Sequence, residues 1–215
     1  MGDRYDSIRS EAEPWSERGC RVLLLAAYDT AFDDGPLQSA HVAPIALVFL
    51  SNLLRPDAQE TFRYFASQGV SVRVISGDNP ITVAQVAARA GIENADRYVD
   101  ATTLSTEQDF EEAVKYYTVF GRVTPEQKRY LVRAFQKQGH TVAMTGDGVN
   151  DVLALKDADC GIAMASGSQA ASQVAQIVLL NSQFSAMPAI VAEGRRVINN
   201  IQRAASLFLV KNIFS

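Results

Sequence analysis

Cysteine is scarce in this sequence, since only Cys20 and Cys160 occur among 215 residues. Two single cysteines so far apart in the chain form neither a paired metal-binding motif nor a disulfide framework. The cysteine content therefore favours a reducing cytosol as the setting of this chain.

An excess of positive charge is also missing. The 20 lysine and arginine residues are outnumbered by 24 aspartate and glutamate residues, which gives a formal net charge of -4. No basic run is interleaved with aromatic residues, the pattern that is typical of nucleic-acid binding. We therefore expect no nucleic acid among the partners.

Long apolar runs are absent as well. The longest run near the end, residues 204–210, is followed by Lys211 and is well short of the ~20 residues that span a bilayer. The first six residues are polar and acidic, without the apolar core of a signal peptide. By itself, the chain is expected to be soluble.

What the sequence does contain is a regular alternation of helix and strand signals. Apolar strand-like segments occupy residues 21–28, 43–50, 70–75, 97–99, 117–120 and 141–144, and helical spacing occupies residues 57–68, 80–90, 125–138 and 150–156. Alternating units of this kind predict an α/β fold with a mostly parallel sheet and helices on both faces. The first two strands are predicted to be buried, because their apolar runs are continuous.

The most specific motif follows the strand at residues 141–144. Residues 145–151 read Thr-Gly-Asp-Gly-Val-Asn-Asp, which places Asp147 at the carboxyl edge of the sheet, where open α/β folds bind ligands. Asn150 and Asp151 follow at the start of the next helix. Oxygen ligands of this kind suit Mg²⁺, which takes one or two protein carboxylates and completes its shell with water and phosphate oxygens. The alternative interpretation is a helix cap after a glycine turn.

Two other strand ends carry phosphate chemistry. Residues 76–78, Ser-Gly-Asp, end the strand at 70–75 with a hydroxyl and a backbone turn that could hydrogen-bond a phosphoryl oxygen. Residues 120–128 place a capped helix start at Thr124, with Lys128 one turn further on as a point charge. The alternative interpretation of Lys128 is a solvated surface lysine.

In order and spacing, these motifs resemble the haloacid dehalogenase superfamily and, within it, the phosphorylation domain of P-type cation-transporting ATPases. The resemblance covers residues 47–215 and is most specific in residues 76–80, 120–128, 145–151 and 154–165. It implies a haloacid dehalogenase-like Rossmannoid parallel sheet with helices on both faces.

The resemblance also implies a role for each candidate site residue. Catalytic roles fall to Ser76, Lys128, Asp147, Asn150 and Asp151, with Asp147 as the Mg²⁺ ligand. The residues implied in phosphate binding are Ser76, Gly77, Asp78 and Lys128, and those with structural or hinge roles are Arg55, Gly146 and Gly148. Mg²⁺ is the implied cofactor, and ATP is the implied substrate.

The aspartate that this family phosphorylates is missing. It is the first residue of an Asp-Lys-Thr-Gly-Thr motif, which does not occur in these 215 residues. Asp29 follows a strand-like run, but it lacks the lysine and threonine of that motif. We therefore expect a sheet without the nucleophile-bearing strand, with residues 22–28 as a candidate to fill its place, and a fragment that is inactive alone.

The implied organisation has three parts. Residues 1–42 would be the C-terminal remnant of a nucleotide-binding domain, residues 43–192 the phosphorylation domain, and residues 193–215 a hinge and the start of a transmembrane helix. The implied partners are ATP, a cation bound outside this chain, and the rest of the same pump with its membrane helices. The chain would then lie on the cytoplasmic side of the cell membrane.

Two other functions fit part of the sequence. A soluble haloacid dehalogenase-type phosphatase would share Ser76, Lys128 and Asp147, but it would also need an early nucleophilic aspartate and would not carry the segment 193–215. A non-catalytic relic would keep the fold without the nucleophile. Association of the native protein with membranes separates the transporter from both alternatives.

Overall fold

A computed structural model describes residues 2–18, 20–29, 41–51 and 53–214. The helices are α1 (Gly2–Glu17), α2 (Ala58–Ser67), α3 (Pro80–Arg89), α4 (Glu107–Tyr116), α5 (Pro125–Lys137), α6 (Val152–Asp157), α7 (Gln169–Val174) and α8 (Met187–Phe214). The strands are β1 (Cys20–Tyr28), β2 (Val42–Ser51), β3 (Val74–Ile75), β4 (Tyr98–Asp100), β5 (Val119–Gly121), β6 (Ala143–Gly146), β7 (Cys160–Met164) and β8 (Ile177–Leu179). The chain divides into two compact units. The first consists of Met1–Arg55 and Val72–Val142, and the second consists of Pro56–Ser71 and Ala143–Ser215.

The first unit begins with an antiparallel ribbon. Strand β1 pairs with β2 along its whole length, with Cys20 opposite Ser51 and Tyr28 opposite Val42. Helix α1 packs against this ribbon, where the ring of Trp15 lies 4.7 Å from the ring of Phe49. Among the described strands, β1 pairs with β2 and with neither β3 nor β6, so the prediction that residues 22–28 fill the place of the nucleophile-bearing strand is wrong.

The prediction that the ribbon strands are buried is also wrong. Leu25 is 54% exposed in β1, and Ile45 is 63% exposed in β2. A continuous apolar run indicates that a strand needs cover on both faces, but it does not indicate which element provides that cover. Among the described residues, α1 covers only part of the ribbon.

The parallel sheet of the first unit has the order β3-β5-β4. Ile75 is opposite Phe120 in one pair of strands, and Asp100 is opposite Gly121 in the other. The core between this sheet and its helices contains Phe110, Phe120 and Leu131, none of them more than 1% exposed. This parallel pairing brings the carboxyl ends of the three strands to one edge.

The helices of this unit begin where their capping residues predict. The Asn79 side chain accepts a hydrogen bond from Ile81 N at 2.9 Å, and Pro80 occupies the first position of α3. Helices α4 and α5 each begin with a capping box, and the one before α5 uses the predicted Thr124. Each box satisfies two backbone N–H groups that have no partner inside the helix, so these starts are fixed locally.

The second unit contains a parallel sheet of order β6-β7-β8. Ala143 is opposite Cys160, and Ile162 is opposite Ile177. Leu155, at most 2% exposed like Ile162, packs in the interior of this unit. Helices α2 and α8 belong to the same unit.

The α/β fold with parallel sheets and flanking helices is therefore confirmed, as two three-stranded sheets. Strand β3 pairs with β5, and strand β6 pairs with β7. Within the described part of the chain, β3 and β6 are each an edge strand of their own sheet. The described residues include no helix with both the length and the apolar character needed to cross a bilayer.

Candidate functional site

In the first unit, the loops that follow β3 and β5 are joined by backbone hydrogen bonds. Arg122 N donates to Asp78 O at 2.8 Å, and Val123 N donates to Ser76 O at 3.0 Å. The residue before Arg122 must be glycine, because a Cβ on Gly121 would lie 2.5 Å from the backbone of Pro80. The predicted phosphate-binding loop 76–78 is thus fixed by the neighbouring strand end as well as by its own turn.

Within this loop, the Ser76 hydroxyl oxygen accepts a hydrogen bond from Asp78 N at 3.1 Å. That bond uses an oxygen lone pair and leaves the hydroxyl hydrogen able to donate, which is the chemistry that a phosphoryl oxygen needs. Gly77 and the Asp78 side chain are exposed. Asp78 lies 4.0 Å from Arg21 in a surface ion pair, an arrangement that contributes little to stability.

Lys128 lies in the first turn of α5 and belongs to the same unit as Ser76. Its backbone N–H donates to Thr124 O at 3.0 Å, and the residue is half-buried. Val123, whose N–H donates to Ser76 O, directly precedes the capping residue Thr124. Lys128 therefore lies one helical turn beyond the loop that binds Ser76.

A pair of charged residues at the same edge, Arg122 and Asp100, was not predicted from the sequence. Arg122 has φ 52, a left-handed backbone conformation that is uncommon for a residue other than glycine. Its guanidinium donates to the Asp100 carboxylate at 2.9 Å. The one signal in the sequence was an acid at a third strand end, and nothing in the sequence indicated which cation it binds.

The Asp100 carboxylate is held in its ionised form. The hydrogen bond from the Thr102 hydroxyl, a second one from the Thr102 backbone and the nearby charge of Arg122 together lower the pKa of Asp100, against the opposing effect of partial burial. Because the folded-state pKa is lowered, ionised Asp100 stabilises the folded chain above its unfolded pKa of about 3.9. This stabilisation is lost as the pH falls through the folded-state pKa.

We therefore expect Asp100→Asn to lower the free energy of unfolding at pH 7 and to have a smaller effect at pH 3, which is below the unfolded-state pKa. Denaturant unfolding at the two pH values measures this difference. Asp96→Asn is the matched control, since Asp96 is an exposed carboxylate four residues away. An equal loss of stability at both pH values would show that the charge of Asp100 is not what stabilises this edge.

In the second unit, the residues 145–151 form a loop that is held from inside by Asp151. This aspartate is only 6% exposed, and its Oδ2 accepts hydrogen bonds from Gly148 N at 3.0 Å and Asp147 N at 3.3 Å. A Cβ on Gly146 would lie 2.5 Å from the Cβ of Asp151, so only glycine fits there. Gly148, with φ -101, has ordinary extended backbone and more space.

The Asp147 backbone is also held from the other side. Ser168 N donates to Asp147 O at 2.6 Å, and a Cβ on Gly167 would lie 2.2 Å from the same oxygen. No local sequence pattern connects residues 167–168 with Asp147, because the two segments are 20 residues apart. The loop after β7 therefore completes the support of Asp147.

The side chains of Asp147 and Asn150 are exposed, whereas Asp151 is turned into the loop. No group of three histidine, cysteine, aspartate or glutamate side chains that could hold a metal occurs in the part of the chain that the structure describes. Mg²⁺ needs no such group, because it usually binds one or two carboxylates and keeps several waters. The exposed carboxylate of Asp147, on a loop whose backbone is held by hydrogen bonds, fits that chemistry.

Arg55, the third residue predicted to have a structural or hinge role, follows β2 and is exposed at the end of the first segment of its unit. Of the predicted site residues, the structure thus places Ser76, Gly77, Asp78 and Lys128 in the first unit, and Gly146, Asp147, Gly148, Asn150 and Asp151 in the second.

Comparison with protein families gives a match over residues 6–159 to the haloacid dehalogenase-like hydrolases. Among curated proteins, the chain is 55% identical over 206 residues to a protein named calcium-transporting ATPase CtpE from Mycobacterium tuberculosis, covering 95% of this chain and 26% of that protein. It is 44% identical to a probable cation-transporting ATPase, exp7, from Streptococcus pneumoniae, covering 98% of this chain and 27% of that protein. The chain therefore spans about a quarter of the length of these relatives.

A similar fold occurs in a solved structure. The crystal structure of a zinc-transporting PIB-type ATPase in the E2.Pi state superimposes with a TM-score of 0.64 at 24% identity, covering 92% of this chain and 26% of that one. At this level of identity, the match concerns the fold alone.

Proposed function

This chain belongs to the haloacid dehalogenase-like hydrolases, and we propose that it is a segment of an ATP-driven P-type ATPase that transports a cation. The observation that carries the proposal is the 55% identity, along 95% of the chain, to a relative named as a calcium-transporting ATPase. We propose Ca²⁺ as the cation for the same reason, with its binding site outside this chain. The rigid loops around Ser76 and Asp147 supply groups that phosphoryl transfer requires.

In the proposed reaction, the γ-phosphoryl group of ATP is transferred to an aspartate that lies elsewhere in the native polypeptide. Catalysis of this kind depends on positioning and on neutralising charge. The Ser76 hydroxyl donates to a phosphoryl oxygen, and the Lys128 ammonium neutralises part of its charge. Gly77 and Asp78 contribute the backbone of the same loop.

Asp147 would hold Mg²⁺ with its exposed carboxylate, Asn150 would have a supporting role, and Asp151 keeps the Asp147 loop in shape. When bound, Mg²⁺ supplies positive charge that stabilises the phosphoryl group during transfer. Gly146 lets the loop pack against Asp151. For Arg55 and Gly148 we retain the structural or hinge role that the resemblance implies.

The proposed organisation keeps a remnant of a nucleotide-binding domain at the N-terminus, a phosphorylation domain to about residue 192, and a hinge from residue 193 onward. The antiparallel pairing of β1 with β2 leads us to assign the whole ribbon to the first part. The partners are then ATP, the transported cation and the remainder of the same pump, with this segment on the cytoplasmic side of the membrane.

The test is the size and location of the native polypeptide that contains this sequence, detected with an antibody raised against the chain. We expect a membrane-bound band several times heavier than 23.4 kDa, labelled by ATP carrying a radioactive γ-phosphate when Mg²⁺ is present. A 23.4 kDa band in the soluble fraction would contradict the proposal. Mg²⁺-dependent phosphatase activity of that band would then distinguish a phosphatase from a non-catalytic relic.

A further inference from the structure

We propose that Asp100 is a positioning residue for phosphoryl transfer, which acts by holding Arg122 in the backbone conformation that fixes the Ser76 loop. The inference rests on the proposed function for its catalytic part. Its structural part, the support of the loop by a charged pair on the neighbouring strands, stands on the geometry of the first unit alone.

The backbone of Arg122 lies in the left-handed region. A residue with a Cβ at φ 52 is disfavoured by steric contacts within its own backbone, and such conformations persist where surrounding contacts hold them. Here the conformation allows Arg122 N to donate to Asp78 O at 2.8 Å, while the next residue, Val123, donates to Ser76 O at 3.0 Å. The left-handed corner is thus what joins the two loops.

The side chain of Asp100 holds that corner. Asp100 ends β4 directly opposite Gly121 in the parallel register, so its side chain starts beside the corner. Its Oδ2 accepts from the Arg122 guanidinium at 2.9 Å, and its Oδ1 accepts from Thr102 N at 3.0 Å and Thr102 Oγ1 at 2.6 Å. One oxygen anchors the carboxylate to its own strand end, and the other holds Arg122.

Backbone hydrogen bonds connect the corner to Ser76. Ser76 N donates to Phe120 O at 2.9 Å, and Ser76 O accepts from Val123 N, so the residue is bound on both sides of the Gly121–Arg122 corner. The close packing of Gly121 on Pro80 keeps the corner from moving toward α3. Release of Arg122 would therefore change the position of the Ser76 hydroxyl, which is the group proposed to bind the phosphoryl oxygen.

The pair is suited to a positioning role by its exposure. The Asp100 side chain is 25% exposed and that of Arg122 is 51% exposed, so this ion pair is partly shielded from water. The lowered pKa of Asp100 shows that its contacts with Thr102 and Arg122 favour the charged carboxylate. A neutral asparagine would keep the size of the side chain and lose the charge-assisted bond to the guanidinium.

The experiment uses the native full-length polypeptide in membranes and measures the rate of phosphoenzyme formation from ATP. Asp100→Asn is expected to lower this rate about tenfold, an effect of the size seen when residues that orient metal ligands lose their partners, with the KM for ATP nearly unchanged. Asp100→Glu should recover part of the rate, and Asp96→Asn should match the wild type. A rise in the KM for ATP with an unchanged maximal rate would overturn the positioning role.

A double-mutant cycle separates positioning from general loss of stability. If Asp100 acts through the Ser76 hydroxyl, Asp100→Asn should change the rate less than about twofold in a Ser76→Ala background, because coupled residues give non-additive effects. A full tenfold loss in that background would show that Asp100 acts through another route, and it would overturn the inference.

Hydrogen exchange keeps this inference distinct from the proposed function. In the 215-residue chain, Asp100→Asn should speed exchange of the Arg122 and Val123 amides about tenfold, and Asp96→Asn should not. Unchanged exchange would overturn the inference, whether or not the native polypeptide forms a phosphoenzyme. A different outcome is faster exchange in Asp100→Asn together with a native wild-type polypeptide that forms no phosphoenzyme. That outcome would refute the proposed function and the catalytic part of the inference, and it would leave Asp100 as a support of the loop.

Discussion

Replacing Asp147 with alanine should reduce Mg²⁺-dependent phosphorylation of the native polypeptide by about 100- to 1000-fold, because loss of one preorganised group that stabilises transferring charge typically costs this much. The carboxylate is exposed at the end of β6, and its backbone is held by Ser168 and Asp151. Loss of the side chain should therefore remove the ligand and leave the loop in place.

Two further variants show whether charge is what matters. Asp147→Asn keeps the shape of the side chain and removes its charge, so we expect the same loss of phosphoenzyme, with partial recovery when the Mg²⁺ concentration is raised. Asp96→Ala removes an exposed carboxylate of the first unit and should leave phosphorylation unchanged. Normal phosphoenzyme levels in Asp147→Ala at ordinary Mg²⁺ concentration would disprove the metal role of this residue.

Replacing Asp151 with alanine should lower the free energy of unfolding by about 3 kcal/mol, because two backbone N–H groups in the loop lose their acceptor. Asp151 is 6% exposed, and one of its oxygens accepts from both Asp147 N and Gly148 N. Asp151→Asn keeps one acceptor oxygen, and we expect about half of that loss. Denaturant unfolding of the 215-residue chain measures both values.

The neighbouring Asn150 provides the matched control for stability. It is exposed, so Asn150→Ala should change the free energy of unfolding by no more than about 0.5 kcal/mol. The two adjacent residues thus compare a buried side chain that supports the loop with an exposed one. If Asp151→Ala were as stable as Asn150→Ala, the buried carboxylate would not be what holds the Asp147 loop.

Much of this fold could be predicted because its signals are local. Helix α3 begins at Pro80 after the capping residue Asn79, and Gly91 with φ 82 follows its end. The capping box at Thr124 fixes the start of α5 in the same way. Residues such as these act within a few positions of the chain, so reading the sequence finds them.

The parts that escaped prediction depend on partners that are distant in the sequence. Residues 70–73 continue an apolar pattern, yet β3 contains only Val74 and Ile75, because a strand extends only as far as its neighbour β5 pairs with it. Helix α1 has Pro14 in its interior and little apolar periodicity, so no local signal indicated it.

In the candidate site, too, local features were predicted and contacts between distant residues were not. The motifs at 76–78 and 145–151 were identified from residue types at strand ends, whereas their supports were not. Arg122 binds a carboxylate 22 residues away, and the 167–168 segment reaches Asp147 from the next strand. Sequence patterns indicated the residues that would touch a ligand, and the three-dimensional packing was needed to find the residues that hold them still.

The ribbon of β1 and β2 has a consequence for the behaviour of the purified chain. Its side chains Leu25 and Ile45 are more than half exposed, and in the described residues each strand is hydrogen-bonded to a neighbour on one side only. Apolar strands with open edges are places where further strands can add. Self-association of the 215-residue chain should therefore increase with protein concentration and begin at this ribbon, so dilute samples are the ones in which its intrinsic stability is measured.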